Sequence, residues 1–245
     1  MQSTTEHASS STIPPTSPAI SPALPAPRWE NRLRAIVIVI ARLALAYLFF
    51  TQLWWKLPPK FGCPADFVLK QEDGKGGYNK SSGLCTYLGY EVIFADKGPR
   101  KFLVAEPKYL AGSPIQEISV DLTWLTRLNG QIVQNFIGPN VRWFGYVIWF
   151  SEFAVFVLLF LGLFTRIGGL IALGISLQLT IGLAGTPLPG DYEWEWAYNQ
   201  MVVLSLLMIG LTPGRIFGLD ALIRKRAAPA AQRGNLFAKL IMLAS

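Results

Sequence analysis

His7 is the one histidine of this 245-residue chain, and it is joined by only two cysteines and four methionines. One histidine cannot supply both axial ligands of a bis-histidine haem within a single chain. Two cysteines cannot hold a four-cysteine iron–sulfur cluster. The chain has no G-x-G-x-x-G turn following a strand and no Walker A loop, so the common dinucleotide and nucleotide sites are excluded. No metal site and no covalently bound cofactor is expected. If the protein handles electrons, they sit on a quinone, on the cysteine pair or on another subunit. Charge is also scarce, at 15% of residues. The net charge of +7 is scattered along the chain rather than set on one helix face. That pattern fits membrane topology and lipid contact, and it argues against nucleic acid as a partner.

Apolar surface is what the chain has in quantity: 51% of residues are hydrophobic, with a mean hydropathy of +0.36. This is too apolar for an ordinary soluble domain and too polar for a chain lying wholly in lipid. Four stretches approach the roughly 20 residues that span a bilayer. The first, "RAIVIVIARLALAYLFFTQLWW", covers 34–55 within a helix expected over 28–55. The next two cover 143–163 and 167–184, and the fourth covers 195–212, with a short loop over 185–194. Gly168, Gly169, Gly174 and Gly182 lie in the third. Small residues let helix backbones approach closely in lipid, which suits a central position. The expected fold is an all-α membrane protein: a four-transmembrane-helix bundle with a long extracytoplasmic insertion, 56–142, between helices 1 and 2.

Basic residues set the expected orientation. Arg28, Arg32 and Arg34 precede the first span, Arg166 separates the second and third, and Arg215, Arg224, Lys225 and Arg226 follow the fourth. An even number of spans puts all of them on one side, so both termini are expected in the cytoplasm of a bacterial-type plasma membrane. Lys56, Lys60 and Arg142 run against this pattern. Residues 1–27, rich in Ser, Thr, Pro and Ala, read as a disordered arm. Residues 213–245 read as an interfacial helix and tail on the bilayer, since Ile216, Phe217, Leu219 and Leu222 adjoin a basic cluster.

Within 56–142, "GYEVIFADKG" and "RKFLVAEPKY" combine β-branched and aromatic residues with turn residues, which reads as a short hairpin. Ile118, Leu122, Leu125, Ile132 and Phe136 then recur at helical spacing, predicting an amphipathic helix. Cys63 and Cys85 share this segment, 22 residues apart. In an oxidising compartment they form a disulfide staple; a redox-active pair or two free thiols are the alternatives, without a C-x-x-C motif behind them.

Two charges lie inside the spans. Arg42 and Glu152 reach similar depths from opposite sides on the span limits above, and an interhelical Arg42–Glu152 ion pair is expected because each charge alone is expensive in hydrocarbon. Gln52, Lys56, Trp149, Gln178, Thr180, Asn199 and Gln200 are the polar and aromatic side chains nearby. They either make interhelical hydrogen bonds or line a polar pocket for a quinone. The tryptophans Trp54, Trp55, Trp143, Trp149, Trp194 and Trp196 fall near one set of helix ends, as an interface belt would.

Two runs carry a family resemblance. "RLALAYLFFTQLWWKL", Arg42 to Leu57, resembles the first-helix pattern of DoxX/DoxD-like membrane proteins. "EFAVFVLLFLGLFTRIGGLIA", Glu152 to Ala172, resembles their second-helix pattern, a Glu leading to Gly-Leu-Phe-Thr-Arg. Ala46 and Leu53 depart from it where a small glycine is common. The resemblance implies a four-helix bundle and carries the family's charged positions onto Arg42, Lys56, Glu152 and Arg166. It also implies a subunit of quinone-linked redox chemistry of the thiosulfate:quinone oxidoreductase kind, working within a larger complex. The long outer segment, the two tails and the lack of a complete active site support the alternative, a non-catalytic accessory subunit of a respiratory or photosynthetic complex.

Overall fold

The computed structural model describes residues 27–63, 83–95, 101–105, 118–183 and 193–245. The arm expected over 1–27, save its last residue, and most of the loop expected over 185–194 lie outside the described residues. The order is α1 (Arg28–Gln52), α2 (Leu84–Ala95), β1 (Lys101–Ala105), β2 (Ile118–Asp121), α3 (Thr123–Ile132), α4 (Val141–Leu161), α5 (Thr165–Leu183), α6 (Glu193–Leu211), α7 (Leu219–Gln232) and α8 (Leu236–Ala244).

Helices α1, α4, α5 and α6 pack together around Leu45, Phe49, Val155, Leu159, Ala172, Tyr198 and Met208. Their outer faces carry Ile40, Tyr47, Phe150, Phe160, Leu170, Val203 and Leu206, all exposed. Such a surface is a liability in water and is what lipid requires. Three helical stretches are long and apolar enough to cross a membrane: Arg28–Lys56, Thr123–Leu161 and Thr165–Leu183; Ala197–Leu211 is a shorter apolar helix. On α5, Gly169 brings the backbone against Ser205, Met208 and Ile209 of α6, where a Cβ would already touch side chains at 3.0 Å. That is close approach through a small residue, as the glycine content of this stretch leads one to expect.

Helix α1 ends because a 3-10 turn, Trp54–Lys56, leads into Pro58 and Pro59, which cannot donate to a continuing helix. Helix α4 ends at Gly162, whose φ of 62° is left-handed and whose neighbour Leu163 donates back to the Leu158 carbonyl at 2.8 Å. A side chain there would be strained by the left-handed backbone, and its Cβ would lie 2.8 Å from the Gly218 Cα.

The segment between α1 and α4 departs from its sequence reading. The stretch expected to contribute a strand, "GYEVIFADKG", is helical up to Ala95, as the end of α2. Buried Leu88 and Val92, four residues apart, give it the single apolar stripe of a helix, and they pack with Phe61, Leu84 and Val133. The hairpin lies later in the chain. Its strands β1 and β2 are antiparallel, with Lys101 opposite Asp121 and Phe102 opposite Val120. The amphipathic stretch begins as strand β2, and the helix proper starts at Thr123 after Asp121, whose carboxylate accepts from the Thr123 N–H at 2.8 Å. A π turn, Val133–Ile137, and a 3-10 turn, Gly138–Asn140, join α3 to α4.

Cys63 and Cys85 are disulfide-bonded, tying the first turn of α2 to the chain that leaves α1. Closing a loop of this length restricts the unfolded chain by about 3 kcal/mol. Reductant is therefore expected to lower the thermal midpoint of the detergent-solubilised protein. The same midpoint in a Cys63→Ser/Cys85→Ser variant should start low and not respond to reductant.

Candidate functional site

The bundle holds three polar centres at different heights. The middle one joins the expected acid to an unexpected partner. Glu152, from the middle of α4, and Lys56, from the turn after α1, are each buried, and Lys56 Nζ donates to Glu152 Oε1 in a direct ion pair. Arg42 is not part of it. Gly162 lies against the Arg42 guanidinium, and Gly162 is ten residues beyond Glu152, about 15 Å along the helix. The depth estimate placed the start of the bundle too early. Residues 28–41 of α1 extend past it, with Leu33, Ile36, Val37 and Ile40 exposed, so Arg42 marks the bundle's end rather than its midplane.

Around Lys56 and Glu152 the lining is aromatic. Lys56 Nζ stands 4.4 Å from the centre of the Trp55 ring. The Trp55 indole N–H donates to Gln52 Oε1 at 3.0 Å, and the Trp149 indole N–H donates to the Leu53 carbonyl at 3.2 Å. Trp149 stacks parallel on Phe153. One feature of this centre is chemically open: Glu152 Oε2 is buried and has no hydrogen-bond partner among the described residues. Lys56, with three N–H donors, spends one on Oε1.

Of the other side chains expected here, Gln178 is drawn elsewhere, Thr180 bonds the Ser176 carbonyl of its own helix, Asn199 is half-buried and Gln200 is exposed. The structure thus brings Gln52, Lys56, Trp149 and Glu152 together and leaves Gln178, Asn199 and Gln200 out. The side chains of Trp194 and Trp196 lie outside the description.

Gln178 belongs to a second centre that the sequence reading missed. Its amide donates to both oxygens of Glu91, at 2.9 and 2.8 Å, and the Asn129 amide of α3 donates to Glu91 Oε2 at 2.9 Å. Glu91 is 2% exposed. Gly182 makes room for it, since a Cβ there would lie 2.6 Å from the carboxyl carbon. Burial pushes the Glu91 carboxyl up to about 7, against the hydrogen bonds from the two amides, which favour its ionised form. The available signal was a lone acid inside an apolar stretch, "YLGYEVIFA".

The third centre closes the opposite end. Asp220 of α7 is fully buried and accepts from the Phe164 N–H at 2.6 Å, the Thr165 N–H at 3.0 Å and the Thr165 hydroxyl at 2.7 Å. It caps the first turn of α5, where a carboxylate also meets the positive end of the helix dipole. Arg42 donates to the carbonyls of Pro213 and Phe217, and Asp220 is its electrostatic partner. Arg166, Arg215 and Arg224 converge on carbonyl oxygens at the end of α8, those of Leu243, Ser245 and Met242. Burial first, then the charges of Arg224 and Arg166, draws the Arg215 pKa below its ordinary value.

Among the described residues no group of three or more His, Cys, Asp or Glu could hold a metal ion. A family model described as "TQO small subunit DoxD" matches residues 93–243, well over half the chain. No curated protein and no solved structure matches. The matched part includes Glu152, Gln178, Asn129 and Asp220; Arg42, Lys56, both cysteines and Glu91 precede it.

Proposed function

We propose, from the premise that the chain belongs to the DoxD family, that it is the membrane subunit of a quinone-linked oxidoreductase of the thiosulfate:quinone kind and works inside a larger complex. Helices α1, α4, α5 and α6 would then cross the bilayer, with both termini in the cytoplasm. The α2–α3 end would face the oxidising side, where a disulfide such as Cys63–Cys85 persists.

The observation that carries this reading is the Lys56–Glu152 pair, with one carboxylate oxygen left over. A quinone carbonyl needs a donor, and Lys56 has N–H groups to spare. A quinol hydroxyl needs an acceptor, and Glu152 Oε2 is one. Exposed Trp54, Trp55, Phe150 and Phe153 supply apolar surface beside the pair for an isoprenoid tail. The site offers hydrogen-bonding and proton chemistry; the electrons come from a partner that oxidises thiosulfate.

The test uses the complex as purified from native membranes in mild detergent. Thiosulfate-driven quinone reduction is expected in the wild type, with quinone co-purifying. Glu152→Gln should lower turnover by about 100-fold, the scale of a lost acid–base group, while the complex still assembles. An assembled Glu152→Gln complex with wild-type turnover would overturn the reading in favour of an accessory subunit.

A further inference from the structure

We propose that Glu91 is a proton-exchange group, lying between the α2–α3 end and the Lys56–Glu152 pair, that supplies protons for quinone reduction at that pair. The proposal rests on the quinone reading above and adds a residue that the ion pair does not contain.

Placement carries it. Glu152 stands nine residues from the end of α4, and Gln178 stands thirteen residues from the start of the adjoining α5. Both helices meet at the 162–164 turn, so Gln178 lies about 6 Å further toward the α2–α3 end. Glu91 hangs from that amide, opposite Gly182, one turn further still. Tyr87, one turn before Glu91 on α2, packs on Trp55 with ring centres 5.3 Å apart, and the Trp55 ring faces Lys56. A ring contact thus joins α2, which carries Glu91, to the turn that carries Lys56.

The chemistry of the cluster suits exchange rather than anchorage. A buried carboxylate held for structure is ordinarily paired with a cation. Among the described residues Glu91 accepts hydrogen bonds from two neutral amides. Each amide carries a donor and an acceptor, so the same cluster serves the carboxylate and the carboxylic acid. Among the described residues no charged side chain bonds to Glu91. From α2 the titratable groups beside Glu91 are Tyr87 and Tyr90. From α3 the charged residue is Arg127, which is exposed. On α5 the only charged residue is Arg166, near its far end. A midpoint near neutrality follows from burial and places the proton where it is readily gained and lost.

Two thiosulfate anions at the partner join through a new S–S bond to give tetrathionate and release two electrons. The quinone takes both electrons and two protons, and each carbonyl becomes a hydroxyl. Glu91 gives up its proton, becomes the carboxylate, and regains a proton from water at the α2–α3 end before giving the second.

The purified complex tests this through the pH dependence of quinone reduction. In the wild type the rate should fall as pH rises through about 7, because the acid form is the donor. Glu91→Gln should keep bound quinone, lose that inflection and drop the rate at acidic pH by about tenfold or more. Asn129→Ala keeps the acid and removes a donor to its ionised form, so the inflection should move to higher pH by roughly half a unit to one unit. It decides the matter should Glu91→Gln fail to assemble. A Glu91→Gln complex with the wild-type rate and inflection, or an Asn129→Ala complex with an unmoved inflection, overturns the role of Glu91 and leaves the quinone reading standing. A wild-type complex that neither binds nor reduces quinone overturns both.

Discussion

Lys56→Met should be among the most damaging single substitutions in the bundle. It removes the cation and leaves the buried Glu152 carboxylate with neither oxygen partnered among the described residues. Breaking one half of a buried pair costs about 3–5 kcal/mol, most of it the expense of the stranded charge rather than the worth of the bond. Lys56→Met/Glu152→Leu removes both charges, and hydrophobic replacement of a complete buried pair is often neutral. The expected pattern in thermal melts of detergent-solubilised protein is thus a large drop for the single variant and recovery of most of it in the double. A double variant as unstable as the single one would mean that Lys56 acts through its packing on Trp55. Activity should be lost in both, which separates the stability of the pair from its use.

Asp220→Ala is the second large effect, at the other end of the molecule. The side chain answers two backbone N–H groups and one hydroxyl in a site with no exposure. Without it, two buried donors at the first turn of α5 go unmet, at about 1–3 kcal/mol each. Arg42 also loses the negative charge it faces. A destabilisation of about 3–5 kcal/mol is expected, read as a lowered thermal midpoint. Proteolysis should localise the change to the turn joining α4 to α5. Asp220→Asn keeps one acceptor oxygen and should fall between alanine and the wild type.

Three of the four expected spans were legible because lipid imposes a simple rule, roughly 20 apolar residues per crossing, which three helical stretches meet outright; the fourth, Ala197–Leu211, is shorter. The disulfide was legible because two cysteines in one segment leave one pairing. In the sequence Lys56 is one of several candidates for a polar pocket and not the partner of Glu152, since a sequence does not show that the turn after α1 folds its last side chain inward. Arg42 was misplaced because the length of a helix does not say how much of it the bundle covers. Helix α2 was mistaken for strand because "YEVIF" is rich in β-formers, and tertiary packing overrode that preference. Glu91 and Asp220 were missed for a shared reason. Each is defined by partners more than 30 residues away: Asn129 and Gln178 for one, Phe164 and Thr165 for the other.

Gly182 has a bearing on how relatives should be read. The family match opens just after Glu91, whereas both amides and the glycine that admits the carboxyl fall inside it. Gly182 leaves the space that the Glu91 carboxyl fills. Positions 91 and 182 are therefore tied as a lock is to its key. Alanine or anything larger at the second position would bring its side chain onto the place that the Glu91 carboxyl takes here. The joint state of these two letters becomes a way to sort family members into those that carry this buried acid and those that do not.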